Sequence, residues 1–184
     1  MPAEIKQEIA LEIAHVLFID VVAYSKMAMD DQRAAIEQLN QIVQSTDEYR
    51  KAESENRLLK IATGDGMALI FYHNPEDPVE CALEISRALK EHHSNLRLRM
   101  GVNSGPVSGV VDVNGRANVA GAGINMPQRL MDCGDAGHIL LSKRGQSRSL
   151  PGWLRRWADP TARFRLCRNY SRSRALARWL KTRR

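Results

Sequence analysis

Apolar positions crowd first into His15-Val16-Leu17-Phe18-Ile19, a short run ended by Asp20, which reads as a buried strand at residues 15–19 giving out into a loop. Before it, Ile5, Ile9 and Ile13 recur at helical spacing, so a lead-in helix is expected over residues 1–14. Asp30 and Asp31 then open a helix running to about Tyr49, with Ile36, Leu39 and Val43 on its buried side. Residues 57–72, RLLKIATGDGMALIFY, are two apolar runs joined by Thr63-Gly64-Asp65-Gly66, a β-hairpin with an acid at its tip. A second helix over about 76–92 lines up Val79, Ala82, Leu83, Ser86 and Leu89, and its stripe also makes Cys81 a core residue. Leu96, Leu98, Met100 and Val102 alternate with Arg97, Arg99 and Gly101 as in a half-buried strand. Gly105-Pro106 is expected to turn the chain before a strand at 107–111, and Asn114-Gly115 to close a hairpin. A helix at about 124–132 and a strand at 139–141 complete the pattern.

The order β-α-β-β-α-β followed by a short hairpin, a helix and a strand predicts an α+β fold. It is a ferredoxin-like sandwich, with helices on one face of a mainly antiparallel sheet. A chain of 184 residues suffices for one such domain.

Charge divides the chain at about Lys143. Residues 1–142 hold 13 Lys and Arg against 20 Asp and Glu, net −7, whereas residues 143–184 hold 14 against 1, net +13. The overall +6 therefore describes the tail, and nucleic-acid binding is not expected of the domain. The tail carries Trp153, Trp157, Phe164 and Trp179 among its arginines. That mixture suits an anionic membrane surface or RNA, or simply a solvated, disordered segment. So abrupt a change is also what a shifted reading frame produces in a GC-rich gene; it predicts that another frame past codon 143 yields strand-like sequence. Three cysteines, Cys81, Cys133 and Cys167, lack metal-ligand spacing and fit reduced thiols. No run is long enough for a membrane span, and the expected location is cytoplasmic.

Asp20 and Asp65 are the candidate chemistry. Each ends or turns an apolar run, and two carboxylates at neighbouring strand ends supply the hard oxygen ligands that divalent cations need beside a phosphate. Asp65 between two glycines equally suits a plain turn.

Five segments in order, FIDVVAYS, KIATGDGMALIF, LRMGVNSGPVSG, VAGAGINMPQRLMD and GHILLS, resemble the catalytic domain of the class III nucleotidyl cyclases, adenylate and guanylate, over about residues 14–142. The resemblance implies the ferredoxin-like fold and cyclisation of ATP or GTP to a 3′,5′-cyclic nucleotide with two Mg2+ or Mn2+ ions. It makes Asp20 and Asp65 metal ligands, assisted by the carbonyl of Val21, and assigns the amides of Val22, Ala23, Tyr24 and Ser25 to the β- and γ-phosphates. Successive amides at a strand-to-helix turn form an anion site. Asn125 and Arg129, four apart on one helix face, would steady the ribose and the α-phosphate. Taken alone, the first could cap its helix and the second could be a solvated arginine. The resemblance also implies a homodimer with sites at the interface, metal carboxylates from one chain and the Asn/Arg pair and base readers from the other.

The base readers depart from the family pattern. Ile61 stands where adenylate cyclases usually carry lysine and guanylate cyclases glutamate. Its neighbour Lys60 faces the opposite side of a strand, and would serve only if a bulge shifted the register. Asn118 replaces an aspartate or cysteine, and Ala120 a bulkier residue. No glutamate marks the pocket for guanine, so ATP is favoured. The alternative is a degenerate cyclase module that binds nucleotide or a partner without turning it over.

Overall fold

The computed structural model describes residues 11–131 and 133–142, together with the backbone of a strand at Arg163–Cys167. The expectations for residues 1–10, 143–162 and 168–184 lie outside the described residues.

The elements are β1 (Leu11–Val21), α1 (Met29–Ser45), α2 (Asp47–Ser54), β2 (Leu58–Ala62), β3 (Gly66–Phe71), α3 (Asp77–Glu91), β4 (Leu98–Val111), β5 (Ala117–Ala120), α4 (Ala122–Met131), β6 (His138–Ser142) and β7 (Arg163–Cys167). They form one sheet in the order β2-β3-β1-β4-β6-β7, with β5 paired to β4. The first four strands are antiparallel to their neighbours, which is the ferredoxin-like arrangement expected. Parallel β6 and β7 extend it. A strand from the arginine-rich tail thus covers the edge of β6 that would otherwise stand unpaired.

β1 lies at the centre because both of its faces are apolar. Leu17, Ile19 and Val21 pack with α1, α2 and α3, while Ala14, Val16 and Phe18 join the cluster containing Met131, with Ile124 against it. A strand buried on both sides reads as a continuous apolar run rather than an alternating one. The expectation of helices on one face is corrected accordingly: α4 covers the second face. Cys81, fully buried in α3, is a core residue as expected, and burial pushes its thiol up to about 12.

Three boundaries also differ from expectation. Residues 11–14 begin β1 and not a helix, because the ladder to β4 starts at Leu11 opposite Ser108; Leu11 and Ile13 remain exposed. The first helix breaks at Thr46, which is extended and bonds its hydroxyl back to the carbonyl of Val43 at 2.7 Å, so Tyr49 belongs to α2. Gly105-Pro106 makes no turn: both residues sit inside the single strand β4, opposite Ala14 and Ile13. β6 and β5 pair with β4 only on either side of this point, so a proline lacking an N–H is tolerated on the open edge. The Asn114-Gly115 hairpin forms as expected, with Gly115 at φ 74°.

Candidate active site

Pairing places the two predicted carboxylates together. Asp20 is the penultimate residue of β1 and lies opposite Gly66 of β3, so the β2–β3 turn delivers Asp65 beside it. The amide of Val21 donates to the carbonyl of Asp65 at 3.0 Å and locks the turn to the strand. Two glycines make this possible. Gly64 turns the chain at φ 91°, and a Cβ on Gly66 would lie 2.0 Å from the carbonyl oxygen of Ile19. Asp20 is 6% exposed whereas Asp65 is exposed, so the pair has one buried and one open carboxylate.

A third group at this point was not singled out from the sequence. Arg99 of β4 faces Asp20 across the ladder, and its Nε donates to Asp20 Oδ2 at 3.0 Å while a terminal nitrogen donates to the same oxygen. Burial raises the pKa of Asp20; Arg99 opposes the rise, and the nearby Asp65 carboxyl adds to it. Two neighbouring acids, one of them held above its ordinary value, form a site that a cation relieves. Among the described residues no group of three or more His, Cys, Asp or Glu could hold a metal. Two carboxylates nevertheless fit a magnesium-type ion, which takes one or two of them and draws its other ligands from phosphate and water.

The loop after β1 is partly committed. The amide of Val22 donates to the carbonyl of Arg97 at 2.8 Å, so it is not available to a phosphate, and its expected role is corrected. A single 3-10 turn, Tyr24–Lys26, spends the amides of Lys26 and Met27 on the carbonyls of Ala23 and Tyr24. Ala23, Tyr24 and Ser25 lead this turn, with Ala23 left-handed at φ 62°.

Asn125 and Arg129 lie on the exposed side of α4, whose Gly123, Pro127, Leu130 and Met131 are buried. Asn118 sits on β5 opposite Val110, and its side-chain oxygen accepts the amide of Val119 at 2.7 Å. Its neighbour Val119 packs in the cluster of Phe18 and Ala68, with Ile61 against it, so β5 folds back over the face of the sheet that carries Asp20.

β2 has regular pairing, Lys60 with Leu69 and Ile61 with Ala68, and no bulge. Ile61 packs toward the α4 face; Lys60 points to the other, bonded to Glu53 at 2.5 Å and 5.7 Å from the centre of the Tyr49 ring. The condition under which Lys60 would read a base is not met. Among the described residues no helix is long and apolar enough to cross a membrane.

The guanylate cyclase domain of RhGC from Catenaria anguillulae, solved with GTP, is similar at TM-score 0.59 and 23% identity, covering 74% of this chain and 81% of that one. The catalytic core of a rhodopsin-guanylyl cyclase with converted specificity, solved with ATPαS, gives 0.60 and 24%, over 76% and 82%. The adenylyl cyclase CyaB from P. aeruginosa gives 0.59 and 17%, over 74% and 79%. These likenesses establish the fold. No curated protein matches the sequence. The family model of the adenylate and guanylate cyclase catalytic domain matches residues 7–150, and on that match this chain belongs to the adenylate and guanylate cyclase catalytic-domain family.

Proposed function

We propose that the protein is a class III nucleotidyl cyclase, converting a purine nucleoside triphosphate, with ATP favoured, into its 3′,5′-cyclic monophosphate and pyrophosphate in cytoplasmic signalling. The observation that carries this reading is the Asp20–Asp65 pair at the end of β1, held by the register to Gly66 and by the Val21–Asp65 bond. In the reaction the ribose 3′-oxygen bonds to the α-phosphorus, the bond from that phosphorus to the leaving pyrophosphate breaks, and the hydroxyl proton departs. Two divalent ions, Mg2+ or Mn2+, would supply charge at the phosphates and ease loss of that proton. Asp20 and Asp65 would hold the ions, with the Val21 carbonyl beside them. The amides of Ala23, Tyr24 and Ser25 face the outer phosphates. Arg99, which donates to Asp20, is a fixed positive charge beside the carboxylates. Asn125 and Arg129 orient the ribose and stabilise charge on the α-phosphate. They come from a second copy of the chain, as does Asn118, which leaves the homodimer as the working unit.

One observation favours a second reading. Lys60 is tied to Glu53 on the wrong face of β2, and Ile61 offers the base no hydrogen bond. A pocket so poor in base contacts suits a degenerate module that binds nucleotide or regulates a partner. Incubation with ATP or GTP and Mn2+, with product read by mass, separates the two. Cyclic product carries the enzyme reading; nucleotide binding with no product from either triphosphate overturns it in favour of the module.

A further inference from the structure

We propose that Asn103 is a positioning residue: its buried carboxamide replaces a hydrogen bond that α4 lacks, and so sets where that helix presents Asn125. The second clause rests on the cyclase reading of Asn125; the first does not.

The α4-facing row of β4 is Arg99, Gly101, Asn103, Gly105 and Val107, by the alternation that puts Val107 in the same cluster as Met131. The two glycines let the helix backbone rest almost directly on the strand. A Cβ on Gly101 would lie 2.5 Å from the carbonyl oxygen of Pro127, and one on Gly105 would lie 3.1 Å from the Cα of Gly123. Asn103 is the polar side chain between them and is 3% exposed.

The need for it comes from Pro127, which stands inside α4. In a regular helix the amide of residue 127 would donate to the carbonyl of residue 123, but proline has no N–H. The buried Gly123 carbonyl would then be an orphan acceptor, at a cost comparable to a lost hydrogen bond. Asn103 Nδ2 donates to that oxygen at 3.1 Å. Because a carbonyl only accepts, this bond also fixes which way the amide points. Its Oδ1 in turn accepts the hydroxyl of Ser142, at the end of β6, at 2.5 Å. The turn bearing Asn125 is thus held from the sheet, at a point two residues before the side chain that matters.

Asn103→Ala, Pro127→Ala and the double variant test this, by amide hydrogen exchange over residues 122–131 and by steady-state kinetics of the intact protein. Asn103→Ala is expected to speed exchange in α4 while the β1–β3 amides keep their protection. The kcat should fall roughly tenfold to a hundredfold, with KM for the metal nucleotide within about twofold. Pro127→Ala restores the missing N–H, so the double variant should recover both readouts toward the parent. If Asn103→Ala does not fold, recovery of a folded chain in the double variant is the expected result, and its failure overturns the proposal. Unchanged α4 exchange in Asn103→Ala, or no rescue by Pro127→Ala, also overturns it. A wild-type chain with no cyclase activity would defeat the cyclase reading instead, and the exchange pattern alone would then decide the role of Asn103.

Discussion

At Asp20 burial and charge pull in opposite directions, and the balance has a sign that pH can read. Its pKa is raised in the folded chain, first by burial, with Arg99 opposing and Asp65 adding. A carboxyl whose folded pKa exceeds its unfolded one favours the fold in its protonated form. Its contribution to stability is therefore present at low pH and lost as pH rises through the folded value. Metal binding runs the other way, since the ion needs the carboxylate. Mn2+-dependent nucleotide binding should accordingly fade, as pH falls, earlier than an ordinary carboxylate would cause. In Arg99→Gln the fading should begin at higher pH still, because the group that lowers the pKa is gone. Calorimetric titration across pH checks this, and a shift of the variant's profile to lower pH contradicts it. Both aspartates were legible because each ends or interrupts an apolar run. Arg99 was not: strand alternation marks it only as polar, and the register that sets it opposite Asp20 is a long-range fact.

The β2–β3 hairpin shows how an element aims a residue. Asp65 reaches Asp20 because β3 runs against β1 without room for a side chain at position 66. Gly66→Ala would drive a methyl into the Ile19 carbonyl, and the expected cost is about 1–3 kcal/mol with loss of metal-dependent nucleotide binding as the turn is levered away. Gly64→Ala meets open space but must hold φ 91°, costing about 1–2 kcal/mol, with a smaller effect on binding. Denaturant melts and nucleotide titrations of both variants test the ranking, which fails if Gly64→Ala loses the ligand and Gly66→Ala keeps it. Local signals made the hairpin and α3 readable. They failed at Gly105-Pro106, where the glycine answers to the approach of Gly123 from α4 rather than to a turn. They failed again at Thr46, where one periodic stretch covers two helices.

Across the whole molecule, the proposed reading gives one chain both halves of a site, the Asp20–Asp65 pair and the Asn125/Arg129 pair. Asn125 and Arg129 lie on the exposed side of α4, while β5 folds back so that Val119, beside Asn118, packs with Phe18. The ordered motifs made the family legible. The folding back of β5 onto the sheet was not legible, because spacing in sequence does not say which ends of a sheet coincide. In the proposed homodimer, one two-fold operation would bring the carboxylates of each chain to the Asn/Arg pair of the other and form two equal sites. Asp20→Ala spoils the metal half of a chain and Arg129→Ala the other half, so each homodimer should be inactive. Mixed under conditions that allow subunit exchange, they form heterodimers with one site carrying both lesions and one carrying neither. Random exchange makes half of all dimers heterodimers, each with one intact site of two. The mixture should then regain about one quarter of wild-type activity per dimer, given independent sites and equal exchange. If exchange is demonstrated, the wild type is active and no activity returns, the sites are not shared and the dimer argument falls.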